Sequence, residues 1–151
     1  MHIFITGGSS GIGRALAELY LSRGHEVGIC GGTREQFESL NFRHERLAFF
    51  EWDGRDREQG RKVVSDFARG SLDLLVAAAG INNGRPREEV AVIDFDRSSD
   101  IFDINLKGVL NAFEAALTVM KPQGHGHLAA LGSASGLVGF PSSAAYCASK
   151  A

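Results

Sequence analysis

The chain has 151 residues, 23% of them charged, and a formal net charge of -2 with histidine neutral. One domain of this length buries a substantial core, and the near-neutral balance gives no footing for nucleic acid or an anionic membrane as partner. No apolar run approaches the roughly 20 residues that cross a bilayer, and the first residues already read as strand, so neither a membrane span nor a leader is expected and a cytoplasmic location is.

Ile3-Phe4-Ile5 is long enough only for a buried strand. It runs into Thr6-Gly7-Gly8-Ser9-Ser10-Gly11-Ile12-Gly13, a loop with no large side chain before Ile12. Ile12, Leu16 and Leu19 then recur at helical spacing, in a helix over residues 11 to 23 with Gly24 as its left-handed cap. Strand, glycine turn and helix in that order make a phosphate site. Missing β-carbons let the backbone approach a pyrophosphate, and the helix start offers unpaired N–H groups and a positive dipole end. No Gly-Lys-Ser/Thr follows, which argues against a nucleoside-triphosphate loop.

Residues 27 to 30 form the second strand, and Thr33 and Gln36 have the spacing of a capping box that opens a short helix to residue 40. A third strand over residues 47 to 52 ends at Asp53-Gly54. The helix over residues 56 to 69 turns Val63, Val64 and Phe67 inward and stops at Gly70. Residues 72 to 79 are the most uniformly apolar run and read as a central strand, closing at Gly80 before a polar loop over residues 82 to 89 that includes Pro86. A long helical stretch covers residues 98 to 121 and is stopped by Pro122 and Gly124. Residues 128 to 131 are a fifth strand, 132 to 143 a loop rich in glycine and serine, and a last helix opens at Ala144. Strands alternating with helices make a parallel sheet covered on both faces, in the order 3-2-1-4-5.

Cys30 and Cys147 form no C-x-x-C and read as free thiols in a reducing compartment. The histidines show no metal spacing; His125 and His127 read as solvated loop residues. In the long helix Leu106, Leu110, Phe113, Leu117 and Met120 form one apolar stripe, and Gly108, Ala112, Ala115 and Val119 a second of small side chains. Only Lys107, Asn111, Glu114, Thr118 and Lys121 keep a polar strip. A surface helix needs one apolar face, so the second points to a partner.

Tyr146 and Lys150 stand at i and i+4, one turn apart on one helix face. A phenol is a poor base at neutral pH, and a cation one turn away favours the phenolate. Ser133 follows the fifth strand, at the strand ends where doubly wound sheets place ligands, and Asn105 lies inside the long helix. Singly, these read as a surface pair, a loop hydroxyl and a cap or kink. In this order, behind Thr6-Gly7-x-x-x-Gly11-x-Gly13, they resemble the Asn-Ser-Tyr-Lys tetrad of the classical short-chain dehydrogenase/reductase family, over the whole chain.

The resemblance implies an NAD(P)-binding Rossmann-like domain over residues 1 to 151, lacking the family's last two strands. It implies hydride transfer between a nicotinamide and a small carbonyl or alcohol, with the cofactor carrying the hard chemistry. Tyr146 would exchange a proton with the substrate oxygen, Lys150 favour the phenolate and hold the nicotinamide ribose, Ser133 bond the substrate oxygen, and Asn105 anchor a water behind Lys150. Gly7, Ser9, Ser10, Gly11, Ile12, Gly13, Arg34, Asp53, Gly54, Ala79 and Gly80 would join Tyr146 and Lys150 around the cofactor. Asp53 matches the family aspartate that contacts the adenine amine; a turn-forming Asp-Gly is its other reading. NADP(H) is expected over NAD(H). No acid stands in Cys30-Gly31-Gly32-Thr33-Arg34, where an NAD-type site grips the ribose 2′-hydroxyl, and Arg34, with Arg14, is placed for a 2′-phosphate, while Gly32 holds the family's usual arginine position.

The sequence departs from the family twice. Ala77-Ala78-Ala79-Gly80 stands where an asparagine usually braces the central strand, so no side-chain role is carried onto Ala78. Family members also continue past the lysine for about 100 residues at ordinary element lengths, and that part supplies most of the substrate pocket. The resemblance further implies homodimers or homotetramers built on the long helix. A non-catalytic dinucleotide-binding regulator and an inactive fragment are the other readings.

Overall fold

The computed structural model describes residues 1–82, 94–141 and 143–151. Beyond Asn82, the expected polar loop with Pro86 lies outside the described residues. β1 (His2–Thr6) sends Ile3 and Ile5 to one face and Phe4 to the other, all three fully buried. It pairs in parallel with β2 (Glu26–Cys30) and β4 (Leu74–Ala77), and β3 (Leu47–Phe50) and β5 (His127–Ala130) complete a five-stranded sheet in the order β3-β2-β1-β4-β5. Thr6 stands opposite Cys30 and Ala77, and Cys30 opposite Phe50, so four carboxyl ends finish level. That is the expected topology, and the level ends are the site's foundation.

On one face α1 (Gly11–Ser22) and α2 (Arg34–Ser39) cover Ile3, Ile5, Val27, Ile29 and Val76, with the Phe37 and Phe49 rings stacked at 4.3 Å. The Thr33–Gln36 capping box forms as its spacing predicts. On the other face α3 (Arg57–Ala68) and α5 (Gly108–Gln123) cover Phe4, Leu75 and Ala77. Asp56 caps α3 through Gln59 N–H at 2.9 Å. The left-handed residue that ends α3 is Arg69 (φ 48°), one position before the expected Gly70.

Several boundaries differ from expectation for local reasons. β3 stops at Phe50 because Trp52 turns into the core, its indole N–H donating to the Asp56 carbonyl at 2.9 Å. β4 stops at Ala77 because the amides of Ala78 and Ala79 both donate to Thr6 Oγ1 at 3.2 Å. His127 is the first residue of β5 rather than a loop residue.

The long helical stretch is three pieces. α4 (Phe95–Phe102) opens at an Asp94 cap, a π turn spans Asp103–Lys107, and α5 follows. Pro122 does not stop α5. The helix absorbs one missing N–H in its last turn, and the Gly124 amide closes it onto the Met120 and Lys121 carbonyls. The small-residue stripe is the inner face: Ala112, Ala115, Ala116 and Met120 are buried against the sheet, with Phe113 half-buried beside them. Met120 thus belongs to the inner stripe, not the outer. Leu106, Leu110 and Leu117 remain exposed, at 49%, 58% and 36%. Of the polar strip, Glu114 meets α3, where Arg57 and Arg61 hold it.

Candidate active site

The turn from β1 to α1 is folded under itself. Gly7 is left-handed (φ 68°), and a Cβ built on it would stand 2.7 Å from the Ala79 Cα. A Cβ on Gly13 would strike the Gly7 carbonyl oxygen. At Gly7 and Gly13 the backbone therefore meets α1 and the end of β4 with no room for side chains. Ser10 is the N-cap of α1 but makes no side-chain cap bond, so the first-turn amides have no side-chain acceptor. Gly7, Gly31, Gly54 and Ala79, with Trp52 and Gly108, line a cavity of about 60 Å³ above the strand ends. Cys30 lies in its floor, and burial pushes that thiol up to about 12, so it stays uncharged at neutral pH. First-turn amides without a side-chain cap, a turn of mostly small residues and a neutral floor fit a diphosphate laid across the strand ends.

At the rim, the Asp53 carboxylate is clamped by Arg55 in a two-pronged pair with Nε at 3.0 Å and Nη2 at 2.7 Å, which holds it below the usual carboxylate range. The Asp53 carbonyl also accepts from Asp56 N–H at 2.8 Å, so the residue builds the turn while its neighbour Gly54 faces the cavity. The Arg34 guanidinium sits 5.5 Å over the Phe49 ring and its backbone N–H donates to Glu51 at 2.6 Å. Arg14 is engaged by Glu18 at 2.9 Å and lies 5.0 Å over Phe42.

Across β4, Asn105 and Lys150 come together. Asn105 sits in the π turn with 3% exposure. Its Oδ1 accepts from Ile81 N–H at 2.8 Å, and its Nδ2 donates to the Ile81 carbonyl and to Ser149 Oγ, both at 2.9 Å. Both amide protons are used, so any water beside it is left only a lone pair on Oδ1. α6 (Ala144–Lys150) carries Tyr146 and Lys150. Lys150 Nζ donates to the Leu131 carbonyl at 2.9 Å and lies 5.9 Å from the Tyr146 ring centre. A Cβ built on Gly80 would be 3.3 Å from Asn105 Oδ1 and 3.7 Å from Lys150 Nζ, so the end of β4, the π turn and α6 converge on one point. Ser133 leads the 3-10 turn Ala134–Gly136, accepting from Ser135 N–H at 3.1 Å, and Gly136 abuts the Lys150 carbonyl.

A family profile described as short chain dehydrogenase matches residues 1–151. The chain belongs to the classical short-chain dehydrogenase/reductase family. An uncharacterized oxidoreductase of Listeria monocytogenes is 32% identical, over 98% of this chain and 61% of its own length. The 3-oxoacyl-acyl-carrier-protein reductase FabG of Rickettsia prowazekii is 34% identical, over 97% of this chain and 59% of its own. The solved structure titled ElxO with NADP bound superposes with a TM-score of 0.88 at 27% identity, covering 99% of this chain and 62% of that one. The chain thus spans about 60% of the length of such short-chain dehydrogenases. Among the described residues no helix is long and apolar enough to cross a membrane.

Within this short-chain dehydrogenase frame, three residues do what the sequence did not reveal. Thr6 and Asn105 together hold the segment after β4, the bracing that Ala78 cannot supply. Ser149 ties α6 to the π turn, its own hydroxyl donating to the Tyr146 carbonyl at 2.8 Å. The only sequence signal for Ser149 was its place beside Lys150 in Tyr146-x-x-Ser149-Lys150.

Proposed function

We propose that this oxidoreductase interconverts a small-molecule carbonyl and the corresponding alcohol with NADP(H) or NAD(H). The observation that carries the reading is the Lys150 ammonium, held at the Leu131 carbonyl one turn from Tyr146 and beside Gly80, across the strand ends from the glycine turn. A bound nicotinamide dinucleotide supplies the hydride. In the direction of reduction Tyr146 would give its phenolic proton to the carbonyl oxygen, and Lys150 would stabilise the phenolate left behind. Ser133 donates to the same oxygen and so lowers the cost of the charge that develops there. Lys150 also holds the nicotinamide ribose, and the first-turn amides of α1 hold the diphosphate. Arg34 and the absence of an acid directly after β2 favour the 2′-phosphorylated cofactor. A homodimer or homotetramer packed on the exposed leucines of α5 and a cytoplasmic setting, which suits two free thiols, complete the reading.

Replacing Tyr146 by Phe in full-length protein tests it. Turnover is expected to fall by roughly 10²–10⁴-fold, with cofactor affinity almost unchanged because the ring still packs. Lys150→Ala is expected to damage both. Steady-state rates on a carbonyl panel and cofactor titrations read the two effects, and a Tyr146→Phe enzyme that keeps most of its activity refutes the assignment.

A further inference from the structure

An NAD-type site grips the ribose 2′-hydroxyl with an acid at the end of its second strand, and here the chain reads Cys30-Gly31-Gly32. The fold supplies an acid from the neighbouring strand. β2 and β3 run parallel with Cys30 opposite Phe50, so the next residues, Gly31 and Glu51, leave the sheet side by side. Glu51 Oε1 accepts from the Arg34 backbone N–H at 2.6 Å, which holds its carboxylate at the head of α2. The Arg34 guanidinium is directed elsewhere, over the Phe49 ring and toward the Phe49 carbonyl at 3.5 Å. Gly31 itself lines the cavity with Gly7 and carries no side chain beside Glu51.

We propose that Glu51 is the residue that sets cofactor choice, its carboxylate reading the 2′ position of the adenosine ribose from the third strand rather than the second. This rests on the dinucleotide-binding reading above. A ribose 2′-hydroxyl can donate to the carboxylate, whereas a 2′-phosphate would bring two like charges together at the head of α2. Arg34 opposes Glu51: swung off Phe49, its guanidinium would favour the phosphate. The balance of the two keeps the discrimination between NADP(H) and NAD(H) narrow in the wild type.

Glu51→Gln keeps the shape and the acceptor for Arg34 N–H but removes the charge. Titrating full-length wild-type and variant protein with NAD⁺ and NADP⁺ is expected to show NADP⁺ binding tightened about tenfold, with NAD⁺ affinity changed by less than about threefold. Glu51→Ser, which removes the charge with a smaller side chain, is expected to move the ratio in the same direction, and Arg34→Ala in the opposite one. A residue that only caps α2 would shift both cofactors alike. Parallel shifts, or a ratio unchanged within about twofold in both Glu51 variants, overturn the proposal. Wild-type protein that binds neither dinucleotide overturns the dinucleotide-binding reading itself, and this inference with it.

Discussion

Asn105 and Thr6 are the buried polar residues among those described, at 3% and 6% exposure; Thr6 holds the segment that follows β4, and Asn105 holds both that segment and Ser149 of α6. Asn105 pairs with both backbone groups of the half-buried Ile81, so its removal leaves a donor and an acceptor without protein partners. Asn105→Ala is therefore expected to cost about 2 kcal/mol of stability, seen as a lower midpoint in urea with an unchanged slope; a loss near zero would mean that water replaces the amide. The sequence marked Asn105, Tyr146, Lys150 and Ser133 by type and order, and the structure brings Asn105 and Lys150 together at Gly80. It did not mark Glu51 or Thr6 as site residues. Their partners lie across a strand pair, and only the register of β2 against β3 and of β1 against β4 makes them neighbours.

At the level of elements, the contact of α3 with α5 is polar at its edge, and that edge responds to pH. Glu114 on α5 accepts from Arg61 and Arg57 on α3, and these bonds, Arg61 first, hold its carboxyl at about 2, against an ordinary 4.5. A carboxyl depressed on folding stabilises the protein fully above its unfolded value and loses that contribution as pH falls through the folded one. The fall in stability between pH 4.5 and about 2 should thus be shallower in Glu114→Gln than in wild type, by denaturation across that range; identical slopes would mean that the pair contributes nothing. The outer face of the same helix makes a different prediction. Phe102, Leu106, Leu110 and Leu117 stay exposed along α4, the π turn and α5, an apolar ridge of the sort that meets a second copy. Leu110→Glu in full-length protein is expected to shift sedimentation at micromolar concentration toward the monomer, and a wild type already monomeric there would refute the interface. Helical periodicity showed two stripes but not which lay inward. That was decided by small residues fitting closely on the sheet, while the π turn, a single extra residue in one coil, leaves no mark on the hydrophobic pattern.

For the molecule as a whole, the apolar runs and glycine turns were enough to read five parallel strands and their order, because right-handed crossovers that start from a dinucleotide turn after β1 place β2 and β3 on one side of it and β4 and β5 on the other. The same sheet has β5 at one end, with no strand beyond it among the described residues and its four residues only exposed or half-buried. An unpaired parallel edge of this kind recruits other chains. Lys150 sits near the end of α6, a helix of seven residues held by Ser149 to Asn105 and by Lys150 to Leu131. Helices so short are marginal without packing, and their ends fray. A polypeptide of these 151 residues alone should then keep the glycine turn, which is braced by Ala79 and Gly13 at the end of β1, two strands in from the free edge. The fixed spacing of Tyr146 and Lys150 should be lost. It is expected to bind the dinucleotide weakly, to self-associate in sedimentation, and to catalyse no carbonyl reduction. NADPH consumption that depends on an added ketone or aldehyde, and that disappears in Tyr146→Phe, would show instead that α6 holds its geometry without further packing.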